Sequence, residues 1–120
     1  MSSRDLHAPQ AVLTYWQRQL RIMDWDLDLE VVPADVLCGA AGRCETWPGV
    51  RRDRIRVASA ETMAPEKRPL HSDQEVTIVH ELLHVLIPGD EDGGSSSVGQ
   101  EQAVEAIAQA LVRARRGEER

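Results

Sequence analysis

The 120-residue chain contains no phenylalanine, one tyrosine and three tryptophans, so aromatic residues make up only 3% of it. Its core must therefore rest on Leu, Val, Ile and Ala, which bury less area per residue than aromatic rings. A domain of this size buries roughly two thirds of its unfolded surface, so the stability margin is thin. Cysteine is scarce as well: Cys38 and Cys44 are the only two, which excludes a disulfide scaffold. Their C-x₅-C spacing fits no zinc pattern, and both read as buried or free thiols. No apolar run in the sequence approaches the ~18 residues that a membrane span requires. An excess of positive charge is missing too. Fourteen Lys and Arg against 20 Asp and Glu give a net charge of −6, the wrong sign for a general nucleic-acid binder. The stretch from Met1 to Pro9 has no apolar segment of the kind a secretory signal carries. The expectation is a cytoplasmic protein with neither a membrane nor a nucleic-acid partner.

Hydrophobic residues at 42% and charged residues at 28% describe an ordinary folded chain, and the length fits one domain over 1–120. Residues 9–23 read as a helix, with Pro9 in its first turn and Val12, Tyr15, Trp16, Leu20 and Met23 at helical spacing. Residues 25–32 alternate, Trp25, Leu27, Leu29 and Val31 against Asp26, Asp28 and Glu30, and Pro33 stops them. Arg43–Trp47 fits a second strand before a Trp47-Pro48-Gly49 turn. Residues 53–59 alternate again, with Ile55 and Val57 opposite Arg54 and Arg56. Together these predict a meander of about three strands. Ser72-Asp73-Gln74-Glu75 has the form of a capping box ahead of an apolar stretch from Val76 to Ile87, which Pro88-Gly89 ends. Residues 89–99 read as a flexible loop. Ser97-x-x-Gln100 is a second capping box, opening a helix that runs to about Arg116 with Arg113, Arg115 and Arg116 at its negative end. The expected class is α+β, in the order α-β-β-β-α-α.

Within the first of these two late helices lies His80-Glu81-Leu82-Leu83-His84, an H-E-x-x-H motif on a helix as its chemistry requires. Residues four apart share one helical face, so both imidazoles can reach one metal ion. Two neutral His nitrogens and a carboxylate suit Zn²⁺. Glu81, one position round the helix, is placed as general base toward a metal-activated water. Apolar Ile78-Val79 and Val85-Leu86 flank the motif, and burying two His and a Glu there without a ligand would leave costly unpaired polar groups.

Three positions compete for the third ligand. Asp90 lies six residues after His84, but Ile87 stands where that arrangement needs a glycine, and Met1, Met23 and Met63 all lie upstream of where its Met-turn would fall. Glu91 and Asp92 read as solvated loop acids. In the last helix Val104, Ile107, Ala108 and Leu111 form an apolar stripe, with Glu101 and Glu105 along its border. Glu101 is favoured as ligand, and Glu105 as the carboxylate that holds a His ring nitrogen; the two can exchange roles.

Ile78-Val79-His80-Glu81-Leu82-Leu83-His84-Val85-Leu86, then a loop, then Glu101-Gln-Ala-Val-Glu105-Ala-Ile-Ala108, resembles a minimal gluzincin. In those families H-E-x-x-H is followed on the next helix by E-x-x-x-D or E-x-x-A-N. Glu101 matches the ligand Glu, and Glu105 stands where they carry Asp or Asn. The element order is similar to compact ImmA/IrrE-type metallopeptidases and small phage-type zincins. The resemblance covers residues 76–112 and implies a zincin-like domain, zinc on His80, His84 and Glu101, and hydrolysis of a peptide bond in a protein or peptide. It implies as well that substrate adds as a strand to a sheet edge, for which Arg54-Ile55-Arg56-Val57 or its neighbour is the candidate. Larger gluzincins add a downstream His or Tyr for the oxyanion. Here Tyr15, His7 and His71 are the only ones outside the motif, and all precede it. This favours an alternative: a zinc-binding but catalytically weak or inactive binding or phage-structural protein. The run Arg51, Arg52, Arg54, Arg56 reads as a solvated strand face, Trp25 as core, Trp47 as a candidate groove residue and His71 as exposed.

Overall fold

The computed structural model describes residues 8–63, 73–87 and 98–117. Helix α1 spans Pro9–Gln19, strand β1 Asp26–Val32, β2 Gly42–Trp47 and β3 Arg52–Ala58; helix α2 spans Gln74–Leu86 and α3 Val98–Gly117. Short 3₁₀ turns at Ala34–Leu37, Pro48–Val50 and Ala60–Thr62 link the strands and follow the last of them. Three α-helices on a three-stranded sheet make a compact α+β domain, the expected class. No described helix is long and apolar enough to cross a membrane.

Helix α1 ends four residues earlier than its apolar spacing predicts. Arg21 takes a left-handed conformation (φ 58°), which halts the helix. The Gln17 amide then donates to the carbonyls of Ile22 and Trp25 at 3.1 and 3.0 Å, stapling the turn into β1. Met23, beyond that turn, is exposed. Val12, Leu13 and Trp16 are the buried face of α1, and Trp25 packs half-buried against the core.

The sheet is not a meander. Its strand order is β1-β3-β2, with β1 parallel and β2 antiparallel to β3. The β2–β3 hairpin forms as expected, but β1 lies on the far side of β3, so residues 33–41 carry the chain across the sheet. A small second core of Leu37, Ala58 and Met63 covers that crossing. Arg54–Val57 is therefore in the central strand and offers no free edge; the edges are β1 and β2. The arginine run lies on the outer face as expected. Arg51 pairs with Asp24, Arg52 with Asp28 at 3.0 Å, Arg54 with Glu30 at 4.0 Å and Arg56 with Glu45 at 3.9 Å.

The inner face packs on the helices. Ile55 and Val57 meet Ile78, Val79 and Leu82 of α2, Val104, Ala108 and Val112 of α3, and the buried side of α1 in one apolar core. The N-cap of α2 is Asp73, whose Oδ1 accepts from the Val76 N–H at 3.4 Å. Glu75 does not close the predicted box. It is buried, and its carboxylate accepts from the Trp16 indole at 2.7 Å and from Arg115 Nε and Nη2 at 2.7 and 2.6 Å. One carboxylate thus ties all three helices together. Ser72 and Ser97, the hydroxyls of the two predicted boxes, lie outside the described residues, as do His7, His71, Asp90, Glu91, Asp92 and most of the 89–99 segment. Val98 and Gly99, expected in that loop, belong to α3.

Candidate metal centre

Helix α2 turns its apolar residues to the core: Ile78, Val79, Leu82 and Leu83 are buried. The four-residue spacing then puts His80 and His84 together on the flank that meets α3, with ring centroids 5.1 Å apart. Contacts between the two helices run in opposite chain order, from His84–Glu101 through His80–Glu105 to Asp73–Arg116, so they are antiparallel. That direction sets the first turns of α3 against the motif.

Glu101 reaches both rings. Its Oε2 lies 2.9 Å from His80 Nε2 and its Oε1 3.2 Å from His84 Nε2. Glu105 takes the other side of His80, with Oε1 2.8 Å from Nδ1, and its second oxygen accepts from Gln109 Nε2 at 2.7 Å. His80, His84, Glu101 and Glu105 are thus brought together. Only Glu101 touches the Nε2 of both imidazoles, while Glu105 meets a single ring nitrogen of His80. The donor atoms of His80, His84 and Glu101 lie within 4.8 Å of one another. Two imidazole nitrogens and a carboxylate oxygen at that spacing are a donor set a divalent ion such as Zn²⁺ fits.

Glu81 faces the sheet rather than α3, and it is 6% exposed. Burial pushes its carboxyl up to about 7, against the lowering pull of His80 and of a hydrogen bond from the Cys44 thiol. Burial pulls the His80 imidazole down, but the Glu105 bond, the Glu81 charge and Glu101 outweigh it, and its pKa is raised overall. Cys44 is half-buried, and burial first, then the charges of Glu81 and Asp53, hold its thiol far above the usual range. Gly42 is where the strand approaches Glu81: a Cβ built there would lie 3.2 Å from Glu81 Oε2.

A groove of about 480 Å³ leads away from this cluster between the start of β2 and helices α2 and α3. Trp47 is 43% exposed but stacks beside Arg52 and is not in the groove wall. Sequence reasoning passed over Gly42 and Asp53, and it read Cys44 only as a buried or free thiol. The signal was there: counting back by twos from Ile55 puts Asp53 on the inner face. The hairpin register then sets Thr46 opposite Asp53, Cys44 opposite Ile55 and Gly42 opposite Val57. Asp53 is fully buried, accepts from Thr46 Oγ1 at 3.1 Å through Oδ2, and has an Oδ1 with no partner among the described residues. Family models, curated proteins and solved structures were all compared with the chain, and none matches it.

Proposed function

We propose that the chain is a zinc-dependent peptidase of a compact zincin type, which hydrolyses a peptide bond in a protein or peptide substrate. The observation that carries this reading is the convergence of His80 Nε2 and His84 Nε2 on the two oxygens of Glu101, at 2.9 and 3.2 Å. His80, His84 and Glu101 would hold the ion. When bound, Zn²⁺ supplies Lewis acidity and lowers the pKa of a coordinated water to about 7. Glu105, bonded at Nδ1, orients the His80 ring and leaves Nε2 as its ligating atom.

Glu81 is the general base, and then the acid toward the leaving amine. Its carboxylate is buried next to His80 and lines the groove, where it can accept a proton and return it. The Cys44 thiol and the bare Cα of Gly42 fix where that carboxylate sits. The free edge of β2, beginning beside the groove at Ala41 and Gly42, is where an extended peptide would add to the sheet.

A second reading, zinc binding without turnover, is favoured by one observation. Tyr15 packs edge-on to Trp16 at 5.2 Å and beneath Arg115, away from the groove. No other tyrosine exists to hold an oxyanion. Glu81→Gln separates the two readings. For the peptidase, elemental analysis finds about one zinc per chain in wild type and variant alike. Cleavage of a protein substrate falls by about 10²–10⁴-fold in the variant, and Glu101→Ala loses the metal. Zinc retained by a wild type that cleaves nothing supports the second reading. A wild type that takes up no zinc even on reconstitution sinks both.

A further inference from the structure

We infer that the groove selects a carboxylate on its peptide, an acidic side chain or the free C-terminus, and that Arg113 receives it. The inference rests on the peptidase reading and names the substrate class of the same site. The groove is unevenly charged along its length. At one end stand His80, Glu81 and Glu105; at the other stand Asp73, Arg113 and Arg116. Val76 and Val112 line the middle together with Thr77 and Gln109, so the stretch between carries no charged side chain and suits small uncharged side chains.

The two arginines at the far end are not equivalent. Arg116 is spent within the protein: its guanidinium donates twice to Asp73, at 2.7 and 3.0 Å, and once to Glu75 at 3.2 Å. Arg113 is exposed and has no partner among the described residues. A guanidinium without a partner, set at the end of an uncharged stretch of groove, is a bidentate receptor for a carboxylate. Arg113 lies twelve residues beyond Glu101, the proposed ligand, on the same helix, or about 18 Å at 1.5 Å per residue. An extended peptide covers that in about five to six residues. The carboxylate therefore belongs at a fixed register from the scissile bond, not anywhere in the substrate.

The test measures binding, so that it does not depend on turnover. Fluorescein-labelled heptapeptide libraries with blocked ends carry Asp or Lys at one position at a time. A poly-alanine heptapeptide is added with either a free or an amidated C-terminus. Each is titrated by anisotropy against zinc-loaded Glu81→Gln protein, and zinc content is measured on the same samples. Asp favoured over Lys by about tenfold at one position assigns the carboxylate to a side chain. The free acid favoured over the amide by the same factor assigns it to the chain end. In either case adding Arg113→Glu reverses the preference toward Lys or the amide without changing zinc content. Equal affinity for all probes, no binding at all by zinc-loaded protein, or a preference that Arg113→Glu leaves intact overturns the inference and spares the metal centre. A protein that takes up no zinc overturns the peptidase reading itself.

Discussion

A Cβ at position 42 would sit 2.7 Å from Thr77 Cγ2, 3.2 Å from Glu81 Oε2 and 3.3 Å from the Arg56 carbonyl. Two of those three neighbours are on α2 and one is backbone, so the space cannot open without moving β2 or α2. Gly42→Ala is expected to cost about 1–3 kcal/mol, read as a lower thermal midpoint. Thr77→Ser, which removes the Cγ2 methyl, should return part of that loss in the double variant. Asp53 works in the opposite sense. Burial raises its carboxyl to about 7 from 3.8, despite bonds from Thr46 and the Arg54 backbone. Between those two values the unfolded chain gives up the proton while the folded chain keeps it. Stability contributed at this site therefore falls as pH rises from about 4 to about 7, then levels off. Asp53→Asn does not titrate. It should match wild type at pH 4 and exceed it by up to about 4 kcal/mol at pH 8, measured as denaturation midpoints across that range. At this scale His80, Glu81 and His84 were legible, because a motif on one helix is local. Glu101 and Glu105 followed from the angular position of an apolar stripe. Gly42, Cys44 and Asp53 acquire their roles only when a strand far from the motif in sequence is laid against it.

The three helices meet at Glu75. Its carboxylate is 6% exposed, and it takes the Trp16 indole, Arg115 and a share of Arg116. Removing one side of such a pair leaves a buried charge uncompensated. Arg115→Met or Glu75→Gln is expected to lose about 3–5 kcal/mol, while Glu75→Leu with Arg115→Met recovers most of it. Urea midpoints of the three variants check this. The pairing also shows why local patterns misled at α2. Ser72-x-x-Glu75 satisfied the spacing of a capping box, but Asp73 caps the helix and the buried guanidinium claims Glu75. Element type was legible for the three helices and three strands, since alternation and helical spacing are properties of one segment, but the 3₁₀ turns at Ala34–Leu37 and Ala60–Thr62 were not. Element adjacency was not. The β2–β3 hairpin is close in sequence and was anticipated. The parallel pairing of β1 with β3 depends on residues 33–41 crossing over the end of the sheet, and no spacing within a strand records that.

Across the whole molecule, charge and apolar surface are sorted onto opposite sides of the sheet. The outer face and its rim carry a row of ion pairs from Arg51–Asp24 to Arg56–Glu45, exposed enough that each contributes little. The inner face holds the core, and the candidate site lies where α2, α3 and the β2 edge come together. The joint at Trp16 has an optical consequence. With no phenylalanine and a single tyrosine, emission from this protein is that of three indoles set at graded depths. Trp16 is 4% exposed and bonded to a carboxylate, Trp25 is half-buried and Trp47 is 43% exposed. A chain keeping only Trp16 should fluoresce at shorter wavelength than one keeping only Trp47, and should shift red when the three-helix joint opens. If that shift shares its urea midpoint with the loss of circular dichroism, the joint and the sheet unfold as one cooperative unit. An earlier shift would mean that the helices part first.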